Sequence, residues 1–310
     1  MEVRRGGGEA RPRAGEVDAR RACWCALLLV FLLLLASDWE EPEVGPPFAV
    51  GAWAVRRGAC RGNGTVRVVC LGDTHRRHAG LAVPEGDILI FAGDATDPAA
   101  PEDNAAQLRA FDAWLGALPH EHKVWVAGNH DPERGVALRD LPHHVPSATY
   151  LEDSAASLTV GARCGDGAAV QVSVFGSPWQ PQWEGSPRSP TFVPEGEELA
   201  RRFAAIPASL HVLATHSPPR GAFDTFDGEH IGSTSLRDAV ERARPQLHCF
   251  GHVHPGRTGD MMTSQQQAWQ RATAARLRGA PADMTLFVNG AVVNNSLVRI
   301  WEPVVVDIQV

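Results

Sequence analysis

The sequence predicts an α/β fold over residues 65–310. Short apolar runs alternate there with longer segments of helical period. Five of those runs are followed at once by a turn carrying Gly or Pro. The composition, 44% hydrophobic and 21% charged over 310 residues, is that of a globular chain able to bury a sizeable core.

The elements follow in order. Apolar runs predict strands at Val66 to Leu71, Asp87 to Phe91, Lys123 to Val126, Val170 to Phe175, His211 to Ala214, Gln246 to Phe250, Leu286 to Val288 and Val304 to Ile308. Asn104 to Leu118 places Leu108, Phe111, Leu115 and Leu118 on one face behind Asp103, a side chain suited to cap a helix. A second helix is expected over Glu197 to Ile206, with Leu199, Phe203 and Ile206 facing inward. A third starts at a capping box, Ser235 to Asp238, and runs to Arg244, where Pro245 stops it. Residues 261–283 are polar with a weak helical period and read as an insertion; no internal repeat is present.

The first 64 residues are of a different kind. Residues 1–21 form a polar tail rich in Arg, Gly and Glu, and residues 22–36 form an uncharged hydrophobic run. Residues 37–64 carry Pro, Gly and acidic side chains without sustained period and read as a linker. The hydrophobic run is short of the roughly 20 residues that cross a bilayer, which leaves a signal-anchor and a cleaved signal peptide both open. Arg20 and Arg21 precede the run and acidic residues follow it, so either reading translocates the remainder of the chain. The expected location is therefore a single-pass anchor with a lumenal or extracellular domain, or secretion; a cytosolic location also stays open. Asn63-Gly64-Thr65 is a glycosylation sequon, and Cys23 and Cys25 lie where acylation occurs beside an anchor.

A formal charge of −7, from 29 bases and 36 acids, offers no groove for a polyanion and argues against a nucleic-acid-binding surface. The six cysteines lack the spacing of a zinc site or a stapled scaffold. Cys70 and Cys249 sit inside apolar runs and read as small buried hydrophobes, whereas Cys60 and Cys164 are available to pair.

Chemistry gathers at the strand ends. Gly72-Asp73-Thr74-His75 follows the first strand, Gly93-Asp94 the second and Gly128-Asn129-His130-Asp131 the third. His216-Ser217-Pro218-Pro219 follows the fifth, and Gly251-His252-Val253-His254 the sixth. Ligands of α/β sheets collect outside the carboxyl ends of strands, so these five clusters converge on one crevice. Singly, each has an ordinary explanation in turns, caps and core histidines. Their order and placement together point to a metal site.

This arrangement resembles the calcineurin-like metallophosphoesterase superfamily, whose ordered motifs are DxH, GD, GNH(D/E), H and GHxH. The resemblance covers essentially all of residues 65–310. The phrases VRVVCLGDTH, GDILIFAGD, VAGNHD, GSPWQPQW, THSPP, RPQLHCFGHVH and FVNGA resemble its MPPED-type branch (metallophosphoesterase-domain-containing proteins). The resemblance implies a sandwich of two mixed sheets flanked by helices in a single catalytic domain. It assigns one metal to Asp73, His75 and His254 and the other to Asn129, His216 and His252, with Asp94 bridging.

An all-N/O donor set without thiolate suits Mn²⁺, the ion favoured here, or Fe, Zn²⁺ or Mg²⁺. A carboxylate bridge can hold two ions about 3.5–4 Å apart and generate a hydroxide nucleophile at neutral pH. The implied activity is that of a phosphohydrolase with a small phosphate-ester substrate. A phosphodiesterase acting on nucleotide-like or other organic diesters is expected, with a phosphomonoesterase or a non-catalytic metal-bound module as alternatives.

The resemblance also places His130 near the scissile phosphate, as stabiliser or general acid, with Asp97 as the acid that orients it. Arg77 is a candidate for substrate phosphate, and Arg257 a weaker one. Trp179, with Trp183 nearby, is a candidate wall of the cleft. Tyr150, the one tyrosine, lies far from the second motif, which excludes the purple acid phosphatases. Gly93-Asp94-Ala95-Thr96-Asp97-Pro98 lacks the Arg that the protein Ser/Thr phosphatases carry after this motif. His252, missing in some MPPED-type relatives, is present.

Overall fold

The computed structural model describes residues 64–97, 99–100, 103–133, 135–162, 167–183, 185–186, 188–254, 285–293 and 300–310. The tail, the hydrophobic run, the linker up to Asn63, Cys60, Cys164, Arg257 and the 261–283 insertion lie outside those residues.

Two five-stranded sheets are built from the apolar runs. The first contains β1 (Thr65–Leu71), β2 (Ile88–Phe91), β3 (His122–Trp125), β4 (Thr149–Tyr150) and β14 (Val304–Gln309), in the order β14-β1-β2-β3-β4. The second contains β5 (Ser154–Val160), β6 (Val170–Ser177), β9 (Val212–Thr215), β12 (Leu247–Phe250) and β13 (Leu286–Asn289), in the order β13-β12-β9-β6-β5. Strands β1 to β4 run parallel and β14 returns antiparallel along β1. In the second sheet β6, β9, β12 and β13 are parallel and β5 is the antiparallel edge. Small two-stranded ribbons join β7 (Gln180–Gln182) to β8 (Phe192–Pro194) and β10 (Thr225–Phe226) to β11 (Glu229–His230).

Strand alternation explains why the central runs are apolar throughout. In β1 and β2, Val66, Val68, Cys70, Ile88 and Ile90 point between the sheets, where they meet Val172, Val174, Val212, Ala214, Leu247 and Val288. The intervening residues, Val69, Leu71, Leu89 and Phe91, point outward to Leu108, Phe111 and Leu115 of α1 (Asn104–Gly116). A single helical turn, α2 (Leu141–His144), adds Leu141 to the same layer. The outer face of the second sheet, through Phe175, Leu213 and Phe250, receives α3 (Glu197–Ala204) by Leu199 and Phe203. It also receives α4 (Thr234–Ala243) by Leu236, Ala239 and Val240. Layer by layer this is helix, sheet, sheet, helix, the α/β sandwich expected.

Differences from expectation have local causes. Asp103 caps α1 by accepting the Ala106 N–H at 2.7 Å, but the cap of α4 is Ser233, two residues before the expected capping box. The Ser235 hydroxyl is instead turned to Glu195. Strand β5 escapes a reading by apolar runs because it pairs only with β6 and mixes small, polar and apolar residues, three of its seven exposed. Cys70 and Cys249 are buried as expected, and they are also joined as a disulfide between the facing sheets, 179 residues apart. Facing inward on β1 and β12, the two thiols meet across the core, a relation that run composition alone does not reveal.

Candidate metal centre

Strand ends deliver the site. Beyond β1 the chain gives Asp73 and His75, beyond β2 Asp94, and beyond β3 Asn129 and His130. His216 follows β9, and His252 and His254 follow β12. The two sheets are tied at this end by backbone bonds: the Gly72 N–H donates to Gly290 O at 2.8 Å, and the Gly290 N–H to Phe250 O at 2.7 Å.

Four of these residues leave their strands in the left-handed region, with φ of 52° at Asp73, 41° at His75, 56° at Asp94 and 68° at His252. Non-glycine residues adopt this conformation at a cost of order 1–3 kcal/mol each, and such outliers cluster at functional sites. Backbone bonds hold them in place: Asp73 N–H to Gly93 O at 2.8 Å and His75 N–H to Asp94 O at 3.1 Å. The His252 N–H donates to Asp73 Oδ1 at 2.9 Å. Gly128 is required by the close approach of Asp94, since a Cβ there would land on the Asp94 carboxylate.

Asp131 fastens two of the loops together. Its Oδ2 accepts the N–H groups of Gly128 at 2.8 Å and Asp94 at 2.9 Å, and its Oδ1 those of Ala95 at 2.9 Å and Thr96 at 3.2 Å. Asn104 at the start of α1 donates to the carbonyls of His130, at 2.7 Å, and Asp131, at 2.9 Å.

Within this frame the side chains form three groups suited to a cation: Asp73 with His75 and His254; His75 with Asp94 and His130; and Asp94 with His216 and His252. Asp94 belongs to the third and, through the second, is grouped with His75 of the first. Its Oδ2 is 3.3 Å from His216 Nε2, 3.9 Å from His130 Nε2 and 4.0 Å from His75 Nε2, while its Oδ1 accepts the His130 backbone N–H. Asn129 Oδ1 is 3.3 Å from His216 Nε2, so all seven expected ligand residues border this centre.

Proton bookkeeping tests whether the residues fit a metal. His75 Nδ1 is 2.9 Å from the Thr96 carbonyl and His216 Nδ1 is 2.6 Å from that of Ala92, so each donates there and points Nε2 inward. Burial works against charge on His216, yet Asp94 beside its Nε2 raises its pKa to about 9, so a cation bound there would take the place of that proton. His75 Nε2 then faces His254 Nε2 at 3.1 Å and lies in the same group as Asp73, whose Oδ1 is 3.3 Å from His254 Nε2. Buried Asp73 Oδ2 and His252 Nε2 have no hydrogen-bond partner among the described residues. Burial lowers the pKa of His75, and burial with neighbouring His216 lowers that of His252, so both stay neutral and competent as ligands. Burial opposes ionisation of Asp94, but His216 and His130 hold it well below the usual carboxylate range. Converging imidazole nitrogens and carboxylate oxygens, among them the unpartnered Asp73 Oδ2 and His252 Nε2, are what divalent cations satisfy, and the N/O donor set fits them.

The remaining candidates are placed as follows. The His130 ring, packed edge-on to His75, has Glu133 at 3.5 Å from its Nδ1. Burial works against its charge, yet Asp94 and Glu133 raise its pKa to about 9. Asp97 is engaged elsewhere: its Oδ1 accepts the Ala99 N–H at 2.9 Å, and its Oδ2 lies 3.8 Å from Arg77 Nη1. Arg77 also donates to the His75 carbonyl at 2.8 Å. Trp179 is buried in the outer core of the second sheet, donates to Asp153 at 2.7 Å and is stacked by Arg202. It is Trp183 that packs against the candidate ligand His252, with centroids 5.6 Å apart, together with Phe192. Sequence reasoning does not single out Glu133 or Phe192, and it names Asp131 only as part of the third motif, without a role. Glu133 carries a readable signal, since it lies three residues beyond His130.

The family model described as calcineurin-like phosphoesterase matches residues 66–256, a span containing every residue named at the centre. Metallophosphoesterase domain-containing protein 1 of Homo sapiens is 32% identical over 226 residues, covering 68% of this chain and 67% of that protein. A UPF0046 protein of Caenorhabditis elegans is 29% identical over 266 residues, covering 78% of this chain and 81% of its own. A solved structure, TT1561 of Thermus thermophilus, is similar at a TM-score of 0.39 and 15% identity, over 61% of this chain and 82% of that one. The chain therefore belongs to the calcineurin-like phosphoesterase family of metal-dependent phosphoesterases, in its MPPED-type branch.

Proposed function

We propose that the protein is a binuclear phosphohydrolase that cleaves small phosphodiesters. The observation that carries this reading is the position of Asp94, whose Oδ2 faces His216 on one side and His75 on the other, each within a separate three-residue group. Asp73, His75 and His254 would hold one divalent ion and Asn129, His216 and His252 the other, with Asp94 shared. Bound there, the ions supply polarisation of phosphoryl oxygens and a water activated at neutral pH.

The chain's own groups do the rest. Thr96 O and Ala92 O fix the tautomers of His75 and His216 and so aim their Nε2 atoms. His130, on the open side of Asp94 and charged beside Glu133, is placed to stabilise charge on the phosphoryl group and to give a proton to the departing ester oxygen. Arg77, with its guanidinium braced on the His75 carbonyl and partly exposed, is available to a phosphate oxygen. No side chain need form a covalent intermediate, and Mn²⁺ is the ion we favour.

The reading extends to location. We place the domain on the lumenal or extracellular side of a membrane, anchored or released by the 22–36 run, and the disulfide between Cys70 and Cys249 supports an oxidising compartment. Substrates would then be extracellular or lumenal phosphate esters.

Three outcomes are expected. The full chain, stripped of metal and reloaded with Mn²⁺, hydrolyses a chromogenic phosphodiester faster than its monoester, and His216→Ala abolishes turnover; a faster monoester would reverse the substrate assignment, and full activity in the variant would remove the centre from the reaction. Asp131→Asn turns an amide N–H₂ toward two backbone donors, so urea unfolding should show a loss of about 2–6 kcal/mol, at one to three for each stranded N–H; a change below about 1 kcal/mol would show that the carboxylate does not hold the loops. Protease added to sealed microsomes, whose outer face is the cytosolic one, should leave the domain protected until detergent is added, whereas digestion without detergent would place it on the cytosolic side.

A further inference from the structure

The turn that carries His252 and His254 is strained and is held from outside. The Val253 N–H donates to Gly251 O at 2.8 Å, which closes a three-residue turn around His252, whose φ is 68°. A three-residue turn with a positive central φ is the rare, strained form of its kind, and it persists where surrounding groups hold it. At one end the His252 N–H donates to Asp73 Oδ1 at 2.9 Å. At the other, the carbonyl of buried Val253 accepts the side-chain amide of Asn289 at 2.8 Å.

Asn289 is itself fixed. It ends β13, opposite Phe250 of β12. Its Oδ1 accepts the Ala291 N–H at 3.0 Å, a side-chain bond to the main chain two residues on, so only one orientation of the amide satisfies both Ala291 and Val253. The chain beyond it is clamped between the sheets. The Gly290 N–H donates to Phe250 O, the Gly290 carbonyl accepts the Gly72 N–H, and the Val292 N–H donates to Gly72 O at 3.2 Å. Gly72 directly precedes Asp73, and Phe250 lies two residues before His252. Asn289 therefore stands on a segment tied to both ligand-bearing strand ends, while contributing no atom to the three cation groups.

We propose that Asn289 is a positioning residue of the metal centre: by holding the Val253 carbonyl it sets the peptide between His252 and His254, and so the divergence of the two rings toward different cation groups. His252 is grouped with Asp94 and His216, and His254 with Asp73 and His75. One hydrogen bond from outside the ligand set thereby reaches both ions. Partners that orient ligands without touching the metal commonly govern affinity by about tenfold to hundredfold. This rests on the binuclear reading above and deepens it by naming a residue that sets the relation of the two sites.

The test is calorimetric titration of the metal-free full chain with Mn²⁺, with urea unfolding of the same protein beside it. Asn289→Asp keeps an acceptor for the Ala291 N–H, removes the donor to Val253 and adds a negative charge. That charge alone would tighten cation binding, so weaker binding reports the lost donor. Asn289→Asp and Asn289→Ala should each bind both ions about tenfold to hundredfold more weakly than wild type. Asp112→Ala, which strands the Ser147 N–H away from the centre, should lower the urea midpoint and leave Mn²⁺ affinity unchanged. Asn289 variants that do not fold, or that lose stability with Mn²⁺ affinity intact, make the residue structural only and overturn the proposal, as does an equal loss of affinity in Asp112→Ala. A single ion in wild type, weakened by both Asn289 variants, would fault the binuclear reading and support the positioning role; two ions in wild type, unmoved by either variant, would fault the positioning role alone.

Discussion

A buried carboxylate, Asp131, collects the backbone N–H groups of Gly128, Asp94, Ala95 and Thr96, and through them locks the turn after β2 to the turn after β3. The rest of the centre is arranged around that lock. Asp94 can hold a left-handed backbone and aim one oxygen at His216 because its own N–H, and those of the next two residues, are already satisfied. His130 is brought over Asp94 by the same turn and pinned from behind by Asn104 and Thr96 at its carbonyl. Asp73 plays the matching part on the other side, accepting the His252 N–H and so linking the end of β1 to the end of β12. Two carboxylates therefore tie loops from both sheets into one frame, and the disulfide from Cys70 to Cys249 joins those sheets just behind it.

Such a frame has a clear electrostatic consequence. Nε2 atoms of His75, His216 and His254 converge with the oxygens of Asp73, Asp94 and Asn129, and His75 and His216 each direct an Nδ1–H to a main-chain carbonyl. Alone, this is a buried gathering in which His216 and His130 carry the charge that offsets Asp94. With divalent cations it becomes a coordination site, so much of the sequence near the strand ends serves a state that is stable only when charge is supplied.

The fold is readable because the inter-sheet and outer layers are both apolar, giving continuous runs such as that from Val66 to Leu71 in place of the alternation of a half-exposed strand. The ligand positions are readable for a related reason: each lies within a few residues of the end of such a run, and one end of a parallel sheet is one place in space. What stays hidden depends on tertiary approach. Nothing local distinguishes Trp179, sunk against Arg202, from Trp183, leaning on His252. Asp97 and Glu133 are both acids near His130 in sequence or motif, and only the fold decides that Glu133 lies at its ring while Asp97 meets Arg77. Cys70 and Cys249 read as apolar because they are buried, and their pairing follows from a sheet-on-sheet register that no window of sequence contains.

We propose that one carboxylate, Asp94, is shared by two neighbouring cation sites. Metal content of the reconstituted, folded chain, counted by elemental mass spectrometry against protein concentration, tests it most directly. Two ions per chain are expected. A count that saturates at one, in protein whose circular dichroism shows an intact fold, would contradict it.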